Sequence, residues 1–448
     1  MSPSRRDFLR GAGILAGSLF LPGCGGSGGG GRNVANGSLP LFPAGYRFVP
    51  LIEIGDSLPQ GDGRIADFSG IMVIHDDREV VFNAENENGL IGLYRATFDP
   101  DPFARTHLRE LSKIVREGDV LSDGSTVTRI NQFVANRHHT VAAILETNDP
   151  SISEPSAATL NRLYIGPEGG PLQRLLVPVE QTPGGAGRLG LDFYDLDLHE
   201  DDDLLLISTY SNDGDIQVNQ GLFFLPGASI HAGSMLLSTA QFLPDSGGVI
   251  AGLGLCDLSG DGHFVCQAVE QSRTGGAVQS TVSGRTTDSK ALRLRSAPKG
   301  TVLSRAVQAQ GSVALGEAVM GPRIDSRGTV AQVLNTSEDS VALVYGGKTL
   351  FEASGELSGF AMKTMWPPVA SDTGLVFLLT DTEEGQKLLA SDGATTRTYL
   401  KEGDEIEGRV LNDMIFGTMP KSVDALGNLV LHGEFLDDSV ALVLGMPV

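Results

Sequence analysis

The chain predicts an all-β fold, a seven-bladed β-propeller, on three observations. A tight turn followed by an apolar strand recurs seven times, and a second apolar run follows each copy. The chain then stops one strand short of a complete last unit, while a surplus strand stands ahead of the first. Four-stranded units of about this length, repeated and closed on themselves, are the propeller arrangement.

The copies begin at His75, Asn136, His199, Ser259, Asp325, Ser371 and Asp424, as in Asp424-Ala-Leu-Gly-Asn-Leu-Val-Leu431. Position one is Asp, Asn, Ser or His, side chains that can accept a hydrogen bond from the turn's own backbone. Position four falls at 78, 139, 202, 262, 328, 374 and 427, so the spacing runs from 46 to 66 residues. Four of these positions are Gly, where a positive φ costs little. Arg78, His139 and Asp202 hold the other three. The residues that follow are apolar or β-branched, as a strand buried on both faces requires.

The second runs are Leu90–Ala96, Leu160–Ile165, Leu222–Leu225, Ala291–Leu294, Val341–Tyr345, Lys387–Ala390 and Val440–Leu444. A third stretch closes with Gly-Asp at Gly118-Asp-Val-Leu121 and Gly403-Asp-Glu-Ile406. The same signature, Gly55-Asp-Ser-Leu58, precedes the first full copy. Tyr46–Ile54 therefore supplies the outer strand that the last copy lacks. That exchange closes the ring and removes free sheet edges. In such a ring the loops between second and third strands share a face with the blade-to-blade connections. Those loops read as long at Thr147–Thr159, Ser211–Gln220 and Ser272–Ser289, which places a partner site on that face.

The pattern resembles bacterial exported and surface β-propeller proteins built from tandem repeats with an Asn-x-x-Gly-x-x-Ala-Phe signature. Asn136 with Ala142, Gly328 with Ala331, and Val81 with Phe82 each keep part of it. The resemblance implies the fold and a place at the cell envelope, and brings no catalytic motif with it.

Three segments precede or make up the fold: a signal over 1–23, a lipidated tether over 24–43 and a single propeller over 44–448. Ser4-Arg5-Arg6-Asp7-Phe8-Leu9-Arg10 reads as a twin-arginine export signal, with Arg5 and Arg6 as its pair. The apolar run Gly11–Leu21 is about half of the roughly 20 residues a spanning helix needs, so it targets and does not anchor. Leu21-Pro22-Gly23-Cys24 reads as a lipobox, with Cys24 lipidated as the mature N-terminus. Residues 25–37 are mostly Gly and cannot build a core, so they form a flexible tether spanning roughly 20 Å.

Removing residues 1–23 deletes three Arg and one Asp and takes the formal charge from −22 to −24. Such a surface repels phosphate backbones and excludes nucleic acid as a partner. The expected partners are the membrane, through Cys24, and a protein or glycan of the envelope. Localisation follows: exported, membrane-anchored, on the periplasmic or extracellular side.

Candidate chemistry is sparse. Cys256 and Cys266 flank one repeat turn and come opposite each other if the hairpin centres on Asp261, which an oxidising compartment would convert to a disulfide. Asp257-x-Ser259-x-Asp261-Gly262 opens like a calcium loop, but Val265 and Ala268 stand where later ligands belong. Calcium is thus the one cofactor with any sequence support, and the same residues are also a repeat turn. Asp195, Asp197, Asp201, Asp202 and Asp203 form a second oxygen-rich run, read mainly as a strand edge and a solvated turn. Gly184-Gly185-Ala186-Gly187 lacks the strand-then-helix setting of a phosphate loop and reads as a blade connection. Trp366-Pro367-Pro368 reads as packing. No His-x-x-x-His, His-Glu-x-x-His or Gly-x-Ser-x-Gly pattern occurs. The sequence favours a non-catalytic binding or scaffold module. The alternative is an extracytoplasmic hydrolase or lyase with a calcium-assisted site in the propeller funnel.

Overall fold

A computed structural model describes residues 42–286 and 322–448, interrupted at short connections of which 149–158 is the longest. The strands group into seven sheets, and the protein is a seven-bladed β-propeller. Blade 1 runs Ile65–His75, Glu79–Asn86, Ile91–Phe98 and Leu108–Arg116 from the axis outward, all antiparallel. Blade 7 is Arg409–Ile415, Leu429–Phe435 and Val440–Pro447, completed by Tyr46–Glu53 from the N-terminus. The closing register runs from Tyr46 opposite Pro447 to Glu53 opposite Ala441, with a bulge between Pro50 and Ile52.

The repeat turns join the innermost strand of each blade to the second. In all seven, the position-four N–H donates to the position-one carbonyl, at 2.8 to 3.1 Å. All seven position-four residues also have positive φ: Arg78 65°, His139 60°, Asp202 60°, and the four glycines 76–84°. That bond, closed by a left-handed fourth residue, is the pattern of a three-residue hairpin loop. The position-one side chain does what its chemistry suggests. Asp424 Oδ1 accepts from the N–H groups of Leu426 and Asn428, and Asn136 Oδ1 from those of His138 and Thr140.

Because a Cβ in the left-handed region costs about 1–2 kcal/mol, the three non-glycine copies carry local strain. Arg78 is exposed, so Arg78→Gly should stabilise the protein by about 0.5–1 kcal/mol in urea denaturation. A loss of stability would contradict the assigned turn.

The Gly-Asp signature is a latch between blades. Gly55, Gly118 and Gly403 have φ of 88–93°. The Asp that follows each accepts from a strand-end N–H, as Asp56 does from Glu53, Asp119 from Arg116 and Asp404 from Lys401. Its own carbonyl then receives an N–H within the first three residues of the next inner strand, from Ile65, Val127 and Leu411 respectively.

The long-loop expectation fails in blade 4: its third strand is Ala277–Arg285, inside the segment read as a loop. The run Ala291–Leu294 lies outside the described residues. The reason is compositional: Ala277-Val-Gln-Ser-Thr-Val-Ser-Gly-Arg285 is mostly polar. The second–third connection of this blade is therefore the short stretch 272–276.

The core lies between blades. The closing strand serves two of these interfaces at once. Phe48 packs with the blade 6–7 cluster that contains Phe377, Leu388 and Phe416, while Val49, Leu51 and Ile52 pack with Ile65, Phe82 and Leu442 between blades 7 and 1.

Candidate functional site

Each innermost strand has one unpaired edge facing the axis, and its buried N–H groups need acceptors. In blades 4 and 5 those acceptors are Asp side chains of the preceding blade, and a side-chain amide of blade 2 joins the same seam. Gln132 Nε2 donates to Asp195 Oδ1 at 2.5 Å, and Asp195 Oδ2 accepts from Cys256 N at 2.7 Å. Asp197 Oδ2 accepts from Leu258 N at 2.8 Å, and Asp257 Oδ2 from Ile324 N at 2.8 Å. Asp197 is fully buried, and Asp195, Asp257 and Arg323 nearly so.

Lys421 of blade 7 donates to the Leu198 carbonyl of blade 3, and its Nζ lies 3.7 Å from Asp197 Oδ1. Blades 7 and 3 are not neighbours, so this side chain spans the channel. Its own carbonyl accepts from Ile74 N of blade 1 at 2.8 Å.

The electrostatics follow from burial. Burial pushes the Asp195 carboxyl up, against the hydrogen bonds from Cys256 and Gln132. Burial, then the charge of Asp197, pushes Asp257 well above the usual carboxylate range. The His199 imidazole is pushed down, first by burial and then by the Lys421 ammonium. Asp195, Asp197 and Asp257 each accept a backbone N–H, while Asp197 Oδ1 makes no hydrogen bond among the described residues and has the Lys421 ammonium 3.7 Å away.

A second polar cluster joins blades 1 and 2. Glu79 is 1% exposed, and its Oε1 meets Arg95 Nε at 2.8 Å and His75 Nε2 at 3.1 Å. Its Oε2 meets His139 Nδ1 at 2.8 Å. Arg95 also donates to the His139 carbonyl at 2.9 Å, tying one repeat turn to the next. The next pair is tied the same way, by Asn136 Nδ2 donating to the His199 carbonyl and to Asp202 Oδ1, both at 2.8 Å.

The predicted site residues divide. Cys256 and Cys266 are directly opposed in the register, as the turn requires. The disulfide expectation is not met: both are buried free thiols, and Cys266 Sγ lies against the Gln267 carbonyl at 3.3 Å. Burial, and then the nearby charge of Asp195, pushes both thiols up, away from a reactive thiolate. Iodoacetamide should leave both unmodified in the native protein and modify both in denaturant. Native labelling, or a mass two hydrogens short, would overturn that reading.

Of the calcium loop, Asp261 lies outside the described residues. Asp257 faces the axis and blade 5, whereas Ser259 Oγ turns back on the His263 backbone, donating to its carbonyl at 3.0 Å. The structure does not bring these two oxygens together. Among the described residues no group of three or more His, Cys, Asp or Glu side chains is placed to hold a metal ion. The second Asp run also splits: Asp195 and Asp197 are buried at the axis, while Asp201 is exposed and Asp202 and Asp203 are half-buried. Reading the first two as a strand edge missed that they cap the neighbouring blade. Gly184 and Gly185 lie in the connection from blade 2 to blade 3, as expected. Arg5, Arg6, Cys24 and Trp366 lie outside the described residues.

The axial cluster left a signal in the repeat. The residue two places before each turn is Val73, Val134, Asp197, Asp257, Arg323, Val369 and Ser422. Charged residues at three consecutive copies of a core position mark a buried polar seam.

No known family profile matches the chain, and no curated protein matches it. Solved structures of similar shape include a puromycin-hydrolyzing peptidase of Mycobacterium tuberculosis, 17% identical, covering 71% of this chain and 44% of its own at a TM-score of 0.37. Prolyl oligopeptidase B from Galerina marginata is 10% identical over 81% of this chain and 46% of its own, at a TM-score of 0.44. A complex of BBS1N with ARL6DN gives 10% identity, 89% and 98% coverage and a TM-score of 0.35. The chain thus spans less than half the length of the two peptidases it matches. Matches at these identities and scores assign neither a substrate nor a site residue to this protein.

Proposed function

We propose that this protein is a non-catalytic binding or scaffold module, exported by the twin-arginine route and held to the membrane by lipid on Cys24. Its partner is a protein or glycan of the envelope. The observation that carries this reading is the fate of the axial carboxyls. Asp195, Asp197 and Asp257 accept main-chain N–H groups of the next blade, and Lys421 reaches Asp197 from across the channel. A general acid or base needs a carboxyl within reach of substrate, and these are committed to holding the ring.

The tether supports the same reading. The Pro43 carbonyl accepts from Arg397 and Tyr399, and Val448 N donates to the Gly45 carbonyl, on the side of the disc that carries the repeat turns. A lipid on Cys24 would therefore hold that side toward the membrane and present the blade-to-blade connections outward.

The test uses purified lipidated protein with fluorogenic peptide, ester and glycoside substrates, with and without calcium. We expect no turnover, together with saturable co-sedimentation with one envelope fraction. Turnover stimulated by calcium and removed by chelator would replace this reading with the hydrolase or lyase.

A further inference from the structure

The seven blades allow an internal comparison. On the outward face of blade 7 three rim positions are apolar and exposed: Ile54 at 39%, Val410 at 37% and Leu436 at 66%. They lie on one continuous edge, since Leu436 N donates to the Val410 carbonyl at 2.9 Å and Ile54 N to the Val440 carbonyl at 3.0 Å. With strands about 4.8 Å apart, the row crosses the blade over roughly 14 Å.

Several other blades place polar residues at these positions. Ile54 precedes a latch glycine, where Glu117 and Glu402 stand before Gly118 and Gly403. Val410 precedes the inner-strand residue that bonds to the latch; Arg64, Thr126 and Arg188 hold that place in blades 1 to 3, and Val249 holds it in blade 4. Leu436 opens the turn between the second and third strands, which in blade 1 is Glu87. The propeller therefore does not require apolar side chains there. Exposed apolar residues grouped at one rim mark a contact surface.

The setting of the row fixes the chemistry of what covers it. Asp437 and Asp438 follow Leu436, Asp56 follows Ile54 by two residues, and Glu402 precedes the blade; of these Asp56, Glu402, Asp437 and Asp438 are all exposed. The two arginines at this blade are already engaged, Arg409 with Glu53 and Arg47 with Glu407. We propose that the outward rim of blade 7, Ile54, Val410 and Leu436 within an acidic border, docks a protein segment that combines apolar side chains with Lys or Arg. This rests on the binding-module reading and names its partner class and surface. Apolar contact supplies the centre of the interface, and the acidic border steers a cationic partner onto it.

The experiment is photocrosslinking of the full lipidated protein in an expressing bacterium. Benzoylphenylalanine replaces Leu436 in one strain, Leu426 on the opposite face in a second, and Val218 on the outward side of blade 3 in a third. Leu426 and Val218 are 60% and 65% exposed, matching Leu436. The proposal expects a protein adduct from position 436 alone, through a peptide of net positive charge. That adduct should fall several-fold with Asp437→Asn plus Asp438→Asn, and with Ile54→Glu plus Val410→Thr, changes that other blades already accommodate. A glycan or lipid adduct at 436, equal labelling at 426, or indifference to those substitutions overturns it. Adducts at 218 without any at 436 overturn the rim and leave the binding-module reading standing. No adduct at any position, with substrate turnover in the previous assay, removes both.

Discussion

Glu79→Gln should destabilise the protein by about 3–5 kcal/mol at pH 7, the cost of removing one partner from a buried ion cluster. Glu79 is 1% exposed and carries three partners, Arg95, His75 and His139, from two blades. Glutamine keeps the volume but leaves the partly buried Arg95 guanidinium facing an amide. The pH dependence separates this from a packing defect. Burial by itself would raise the Glu79 carboxyl. The hydrogen bond and charge of His75, followed by the charges of Arg95 and His139, outweigh burial and hold the carboxyl below its ordinary 4.5. A group whose folded pKa is depressed adds stability above its unfolded pKa and loses it as pH falls through the folded value. The difference between wild type and Glu79→Gln should thus be full near pH 7 and shrink progressively below about pH 4.5. Chemical denaturation at several pH values reads this directly. A constant difference across that range would mean the charge is not what Glu79 contributes.

That cluster was invisible in the sequence, and the reason is topological. Glu79 and Arg95 come from two strands of blade 1 and His139 from a turn of blade 2, and nothing local marks His139 as more than a turn residue. The turn itself was legible, because a hairpin loop with a left-handed fourth residue needs particular residue types at fixed offsets. Those offsets also identified Arg78, His139 and Asp202 as occupants of the glycine position, and each has φ of 60–65°. The closing strand was legible too, since a ring with one unit short has one way to finish. The innermost strands were not: bulges break their registers and their buried faces are polar, as Asp195 and Asp197 show. The contacts that pin the axis are 61 to 67 residues apart, which is one blade of chain. Only aligning the copies on their turns exposes that spacing. The third strand of blade 4 was missed because Ala277–Arg285 is mostly polar, and an apolar run was what the pattern sought.

Deleting the closing strand should have an effect as large as the whole stability of the domain. Phe48, Val49, Leu51 and Ile52 are each less than 10% exposed, and full burial of such side chains contributes about 1.5–3 kcal/mol apiece. Four of them sum to an amount comparable with the roughly 5–15 kcal/mol that separates a folded domain from its unfolded chain. The loss is not confined to one blade, because Phe48 faces the blade 6 side and Val49 and Ile52 face blade 1. Removal also bares the Val440–Pro447 strand, whose neighbour was Tyr46–Glu53. An apolar strand with an open edge recruits another chain. A chain beginning at Gly55 should therefore be aggregated or oligomeric by size-exclusion chromatography and lack a cooperative melt. Adding the peptide 44–54 in trans should restore part of that melt, since the strand bonds through its backbone in a defined register. Ile52→Ala in the intact chain is the graded version, expected to cost about 2–5 kcal/mol while leaving a monomer. If the truncated chain ran as a monomer and melted at the wild-type temperature, the ring would not be closed by its N-terminus.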